Sequence, residues 1–170
     1  MKNIKYLYFL LFVIFAASCN KEEPVSATYQ NLIGIWEPSS LSIGASIGNK
    51  SFVQYLVDDL GISQGRADSL AQDLVNIIAV GLTGTIEYKT DGTYDAVLGG
   101  DSEAGTWQLI NSDQVLVMTE NGSTESQELE IKTISSSTLV LEFDDIFIIE
   151  ADGTEIDVAI DHELTLDKQV

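Results

Sequence analysis

The chain is poor in the residues on which most site chemistry is built. Its 170 residues include one Cys and one His, and 8 Lys plus Arg stand against 27 Asp plus Glu, a formal charge of −19. A single cysteine excludes a disulfide framework. One Cys and one His cannot supply a Cys/His zinc site, and they leave a single imidazole as the base of any nucleophilic triad. No Gly-x-Ser-x-Gly elbow accompanies it, so no catalytic residue, metal site or cofactor is expected and the chain is not read as an enzyme. The shortage of basic residues excludes two partner classes, because a surface this acidic repels nucleic-acid phosphates and acidic lipid head groups. The length fits one domain.

What is present begins with an address. Lys2 and Lys5 precede an apolar run of twelve residues, Tyr6 to Ala17. As a helix that run would span about 18 Å, short of the roughly 30 Å hydrocarbon core, so it is read as the apolar region of a signal peptide and not as a membrane span. Ala16, Ala17 and Ser18 ahead of Cys19 resemble the lipobox of bacterial lipoproteins. That resemblance implies diacylation of Cys19, which becomes the first mature residue once residues 1–18 leave. Losing Lys2 and Lys5 but no acid leaves 6 basic and 27 acidic residues, a net −21. Asn20-Lys21-Glu22-Glu23 resembles the Lys-acid-acid tag behind the lipidated Cys of some Gram-negative lipoproteins, which implies an outer-membrane lipoprotein exposed at the cell surface. The plainer reading of the same residues, with Pro24 and Ser26, is a solvated tether. Residues 19–31 are read as an acidic flexible tether and 32–170 as the folded domain.

From Thr83 onward the pattern has period two, interrupted by short polar turns, which predicts antiparallel strands. The last strand is the clearest. Ile156, Val158, Ile160, His162, Leu164 and Leu166 share one face, and Glu155, Asp157, Asp161, Glu163 and Asp167 share the other. At about 3.3 Å per residue this strand approaches 36 Å, long enough to require bending or coiling, as in a closed barrel. Ten acids and no Lys or Arg lie between Glu142 and Asp167, a density that could attract cations or a basic partner, but alternation turns most of them to solvent. Two Asp-Gly turns define hairpins. A three-residue loop, Thr90-Asp91-Gly92, pairs Tyr88 with Tyr94 and Ile86 with Ala96, keeping apolar side chains on one face. The same logic at Ala151-Asp152-Gly153 pairs Ile148 with Ile156 and Ile146 with Val158. Neither turn has the oxygen-ligand spacing of an EF-hand, so calcium is not expected. Asn121-Gly122-Ser123 is a glycosylation sequon read as turn chemistry.

Further strands are expected at 34–43, 105–110, 114–119, 127–134 and 138–143, with Asp144-Asp145 as a bend. Short polar separators make consecutive strands neighbours, and closure into an up-and-down barrel removes both edges. The exception is Asn49 to Leu82. Ser51 and Gln54 form a capping box before Phe52, Val53, Leu56, Val57 and Leu60, and Gly61 stops that helix. Ser63 then caps a second helix with an apolar stripe of Ala67, Leu70, Ala71, Leu74, Ile77 and Ile78, ending near Gly81. The stripe is expected to pack on the chain's own barrel, with a protein partner as the alternative.

Leu32-Ile33-Gly34-Ile35-Trp36 contains a Gly-x-Trp that resembles the first-strand motif of lipocalins and of bacterial lipocalin-like lipoprotein domains. The Tyr88 to Tyr94 hairpin, followed by Gly105-Thr106-Trp107, fits the same resemblance. It implies a mainly β, eight-stranded up-and-down antiparallel barrel, closed at one end by Trp36 and open at the other to a small apolar ligand. The departure is a two-helix insertion between strands 1 and 2, at about 51–81, where such folds carry a long loop. Gly34, Trp36 and Trp107 are expected to build the barrel end; stacking of the tryptophans on a sugar is the sharper and less favoured alternative. His162, on the apolar face, is either a satisfied interior group or a ligand contact. Two functions follow: a tethered binder of a small apolar or amphipathic molecule in a cavity lined by Tyr88, Tyr94, Phe143 and His162, or a surface-anchored structural or protein-interaction module with a filled barrel.

Overall fold

The computed structural model describes residues 25–151 and 154–169. The leader 1–18, Cys19 and the acidic segment after it lie outside the described residues. Among the described residues nine strands form one antiparallel sheet: β1 (Gly34–Ile47), β2 (Lys50–Ser51), β3 (Gly84–Tyr88), β4 (Thr93–Leu98), β5 (Asp101–Ile110), β6 (Val115–Glu120), β7 (Gln127–Ile134), β8 (Thr138–Ala151) and β9 (Thr154–Lys168). From β3 to β9 each strand pairs with its sequence neighbour. β1 pairs with both β3 and β9, which closes an eight-stranded barrel and leaves the two-residue β2 as an appendage on β1. Closure is extensive, running from Trp36 opposite Lys168 to Ser46 opposite Ala159, with a bulge between Pro38 and Ser40. The expected fold is therefore the observed one, with both helices between the first two barrel strands.

Alternation builds the closed end. Trp36 is fully buried and donates from Nε1 to the Leu32 carbonyl at 2.7 Å. Leu32 ends α1 (Ala27–Leu32), a short helix capped by Ser26. The expected tether, 19–31, overlaps this helix; from Ala27 the chain is folded onto the barrel because Tyr29 and Leu32 supply apolar surface to its base. Tyr29 packs on Trp107 at 5.1 Å between ring centroids and donates its hydroxyl hydrogen to the Thr90 carbonyl at 2.7 Å. Trp107 stands edge-on to Tyr88 and donates from Nε1 to the Thr93 carbonyl at 2.9 Å. Gly34, at φ +131°, has no side chain where Lys168 lies: a Cβ there would stand 2.6 Å from the lysine Cε. Lys168 Nζ sits 5.1 Å from the Trp36 ring and donates to the Asn31 carbonyl at 2.6 Å.

The first Asp-Gly hairpin has the expected register, Tyr88 opposite Tyr94 and Ile86 opposite Ala96. The second does not. Ala151 pairs with Thr154, leaving two residues between them, so Phe147 faces Val158 and Ile149 faces Ile156 in place of the expected Ile146–Val158 and Ile148–Ile156 pairs. The cause lies at Asp144-Asp145, expected as a bend but continuous within β8. Unbroken alternation from Leu139, Leu141 and Phe143 brings Phe147 to the inner parity and turns Ile146 and Ile148 outward, 64% and 58% exposed.

A second apolar cluster sits above the first. α2 (Phe52–Asp58) starts at the Ser51/Gln54 capping box, both reciprocal hydrogen bonds being present. α3 (Gln64–Gly81) follows, with Ser63 at its N-cap position but making no side-chain capping bond. Phe52, Leu56 and Ala67 pack with Val158 and Ile160 of β9, joined by Ile43 and Ala45 of β1 and by Leu70, Ala71, Leu74 and Ile78 of α3. The helices thus cover the inner face of the long β1–β9 ribbon where it rises past the short strands. Ile77, placed in the stripe by spacing, is 67% exposed, because the buried face of α3 is narrower than the sequence pattern.

Candidate functional site

Strand direction sorts the connections into two ends. The β3–β4, β5–β6 and β7–β8 turns lie at the closed end with Trp36, and the helices and the β4–β5 and β6–β7 connections surround the mouth. Between the two apolar clusters lies a cavity of about 350 Å³. Ile86, Tyr88, Leu129, Leu141 and Leu164 form its depth, and Ile78, Gly81 and Leu82 at the end of α3 border it at the mouth. Its polar lining is sparse: Glu103, Gln127, Asp145 and His162. The volume falls at the lower end of the range for small-molecule sites, and the mixture of an apolar wall with a few polar groups is typical of them.

The structure brings together three of the four residues expected to line a cavity. Tyr88, Phe143 and His162 face this space. Tyr94 does not line it; it borders an adjoining acidic cleft of about 440 Å³, with Glu103, Glu120, Glu125, Glu128, Asp144 and Asp145. Tyr94 lies opposite Gly105, where a Cβ would approach its ring to 2.7 Å, so the glycine lets the tyrosine lie flat across β5. Its hydroxyl donates to Glu103 Oε1 at 3.1 Å. Burial, with Glu103 and Glu120 nearby, pushes the Tyr94 phenol well above its ordinary range, so it stays protonated and donating. Trp36 and Trp107 sit in the closed-end core, their indole nitrogens bonded to backbone carbonyls, and line neither space.

His162 is the least satisfied group at the site. It is 5% exposed, paired across the sheet with Ile43 and Phe143, and stacked on the Phe143 ring at 4.6 Å with 16° between planes. Its Nδ1 has no hydrogen-bond partner among the described residues. Burial lowers its pKa below 6.5, against the opposing pull of Asp145, Asp161 and Asp144, so the imidazole is neutral at pH 7. A neutral imidazole keeps one acceptor and one donor nitrogen, and leaving a buried one unpaired costs about 1–3 kcal/mol. The Tyr88 hydroxyl is nearly as underused, its partner being the weakly accepting Met118 Sδ at 3.4 Å. Burial raises its pKa, so it too stays protonated.

Sequence reasoning missed Glu103, Gln127 and Asp145. All three were recoverable from parity. Glu103 has the parity of Gly105 and Trp107 once β5 is extended back to Asp101, and Asp145 has the parity of Leu141 and Phe143 once β8 runs through. Gln127 was recoverable too, since it shares the parity of Leu129 in the strand expected at 127–134. Among the described residues, no group of three or more His, Cys, Asp or Glu side chains is placed to hold a metal ion, and no helix is long and apolar enough to cross a membrane. No protein-family model matches the chain, and no curated protein does. Among solved structures, a DUF4847 family protein from Bacteroides vulgatus is similar to this chain at 14% identity and a TM-score of 0.41, over 85% of this chain and 100% of its own.

Proposed function

We propose that the protein is a lipocalin-like binder of a small amphipathic molecule, held outside the cytoplasm by a lipid on Cys19, with no catalytic role. The observation that carries the binding reading is the half-open, largely apolar cavity of about 350 Å³ lined by His162, which is 5% exposed and whose Nδ1 has no partner among the described residues. Folded interiors rarely leave a void beside an unmet polar atom, and here the two are neighbours. The leader, the small residues before Cys19 and the charged stretch behind it support the placement at the outer membrane, facing the exterior.

Native mass spectrometry of protein gently purified from its own cells tests the binding reading. A co-purifying small molecule that is lost in Phe143→Glu is the expected result; a bare polypeptide mass in repeated preparations, with no uptake of added amphiphiles, would reject it in favour of a filled interaction module. The placement has a separate test. Wild-type protein is expected to carry an acyl mass and to sediment with membranes, and membrane retention of Cys19→Ala would defeat the proposed anchor.

A further inference from the structure

The polar groups around the cavity are of one electrical kind. Glu103, Gln127 and Asp145 line both the cavity and the acidic cleft beside it, and among the described residues no Lys or Arg lines either space. Tyr94 holds Glu103 at this junction by donating to it, and a carboxylate that receives such a bond is kept as an acceptor. The end of α3 adds to the field. Gly81 and Leu82 line the cavity, the last turn carries no basic residue, and a helix C-terminus is equivalent to roughly half a negative charge. Beside the cavity, the neutral His162 has a buried ring nitrogen without a partner among the described residues. A carboxylate ligand would meet carboxylates and a carbonyl end with no cation to pair with. A protonated amine meets acceptors at both.

Resting on the binding reading above, we propose that the cavity takes an amphipathic cation. An alkyl or aryl body lies against Tyr88, Leu141 and Phe143, and a protonated amine head donates to Glu103 and Asp145 at the mouth. Selection is by charge at the rim and by apolar area in the depth, so neither the body nor the head alone binds well.

The test is a calorimetric titration of the mature full chain with three probes that share one body, octylamine, octanol and octanoate, near neutral pH. Octylamine is expected to bind at least ten-fold more tightly than octanol, with octanoate weakest. Paired substitution of Glu103→Gln and Asp145→Asn should bring octylamine down to the level of octanol while octanol itself is unchanged. Glu163→Gln with Asp167→Asn removes the same charge from the outer face of β9 and should leave the amine affinity where it was. Equal affinity for all three probes, preference for octanoate, or equal damage from the outer-face pair would overturn the cation preference while leaving a binder of amphiphiles standing. Failure of all three probes to bind, together with the absence of any co-purified molecule, would overturn the binding reading as well.

Discussion

The two ends of the barrel are finished to different standards. At the closed end each large polar side chain has a partner: both indole nitrogens donate to backbone carbonyls, Lys168 donates to the Asn31 carbonyl, and the Tyr29 hydroxyl to that of Thr90. Toward the mouth the pattern reverses. His162 Nδ1 has no partner among the described residues, and carboxylates gather without a cation among the lining residues; the Tyr88 hydroxyl, between the two ends, settles for a thioether. One sheet supplies both ends, so the difference is not one of backbone. It separates residues that hold the fold from residues left free to meet something else, a division that costs stability wherever a buried group goes unmet.

That contrast can be broken most forcefully at its base. Trp36→Ala removes the plug and strands the Leu32 carbonyl, and is expected to cost about 3–5 kcal/mol in urea unfolding followed by circular dichroism. A loss below about 1 kcal/mol would mean that the closed end is not where the barrel is secured. Leu56→Ala, in the upper cluster, should cost less, about 2–3 kcal/mol, and its effect should be local. Hydrogen exchange is expected to quicken across α2 and α3 while β3 to β6 keep their protection; uniform quickening would make the two clusters one cooperative unit.

The mouth can be probed more gently through pH. Because folding lowers the His162 pKa, the unfolded chain takes up the proton first on acidification. The contribution of the neutral imidazole is complete above pH 6.5 and declines as pH falls through the window between 6.5 and the lower folded value, with a slope of at most about 1.4 kcal/mol per pH unit. His162→Leu should abolish that slope and, by removing the orphaned nitrogen, raise stability by about 1 kcal/mol at neutral pH. An unchanged slope would assign it to the carboxylates. The smallest expected effect returns to the base: Lys168→Met should cost about 1 kcal/mol, the sum of a lost cation–π contact and one hydrogen bond, in the same urea assay.

Legibility in the sequence followed how one-sided each pattern is. The Tyr88–Tyr94 register could be read because β3 has its large apolar residues at one parity only and β4 does so apart from Val97. Ile146 to Ile149 are apolar at both parities, so that stretch carries no register of its own, and the correct one enters only through Asp144-Asp145, whose acidity reads as a break. The helices announced themselves by the capping box and the stripe, but nothing in their spacing says that they rest on β9 and β1 above the barrel. α1 was hidden by its neighbours' composition: a charged stretch precedes six residues of which only Tyr29 and Leu32 are needed to fix it to the base. The candidate site was half legible. Aromatic and imidazole side chains on a greasy face stand out, whereas Glu103 and Asp145 look like any solvated acids until the full strand lengths are known.

The pairing of Trp36 with Lys168 also determines how the molecule can be held. α1 and residue 169 both lie at the plugged base, and the opening is at the far pole. A leash fastened ahead of residue 25 would grip the molecule like the stem of a cup, presenting its rim to whatever lies beyond the anchoring surface. Fusing a bulky fluorescent protein behind residue 169 should therefore crowd the stem and leave traffic through the rim undisturbed.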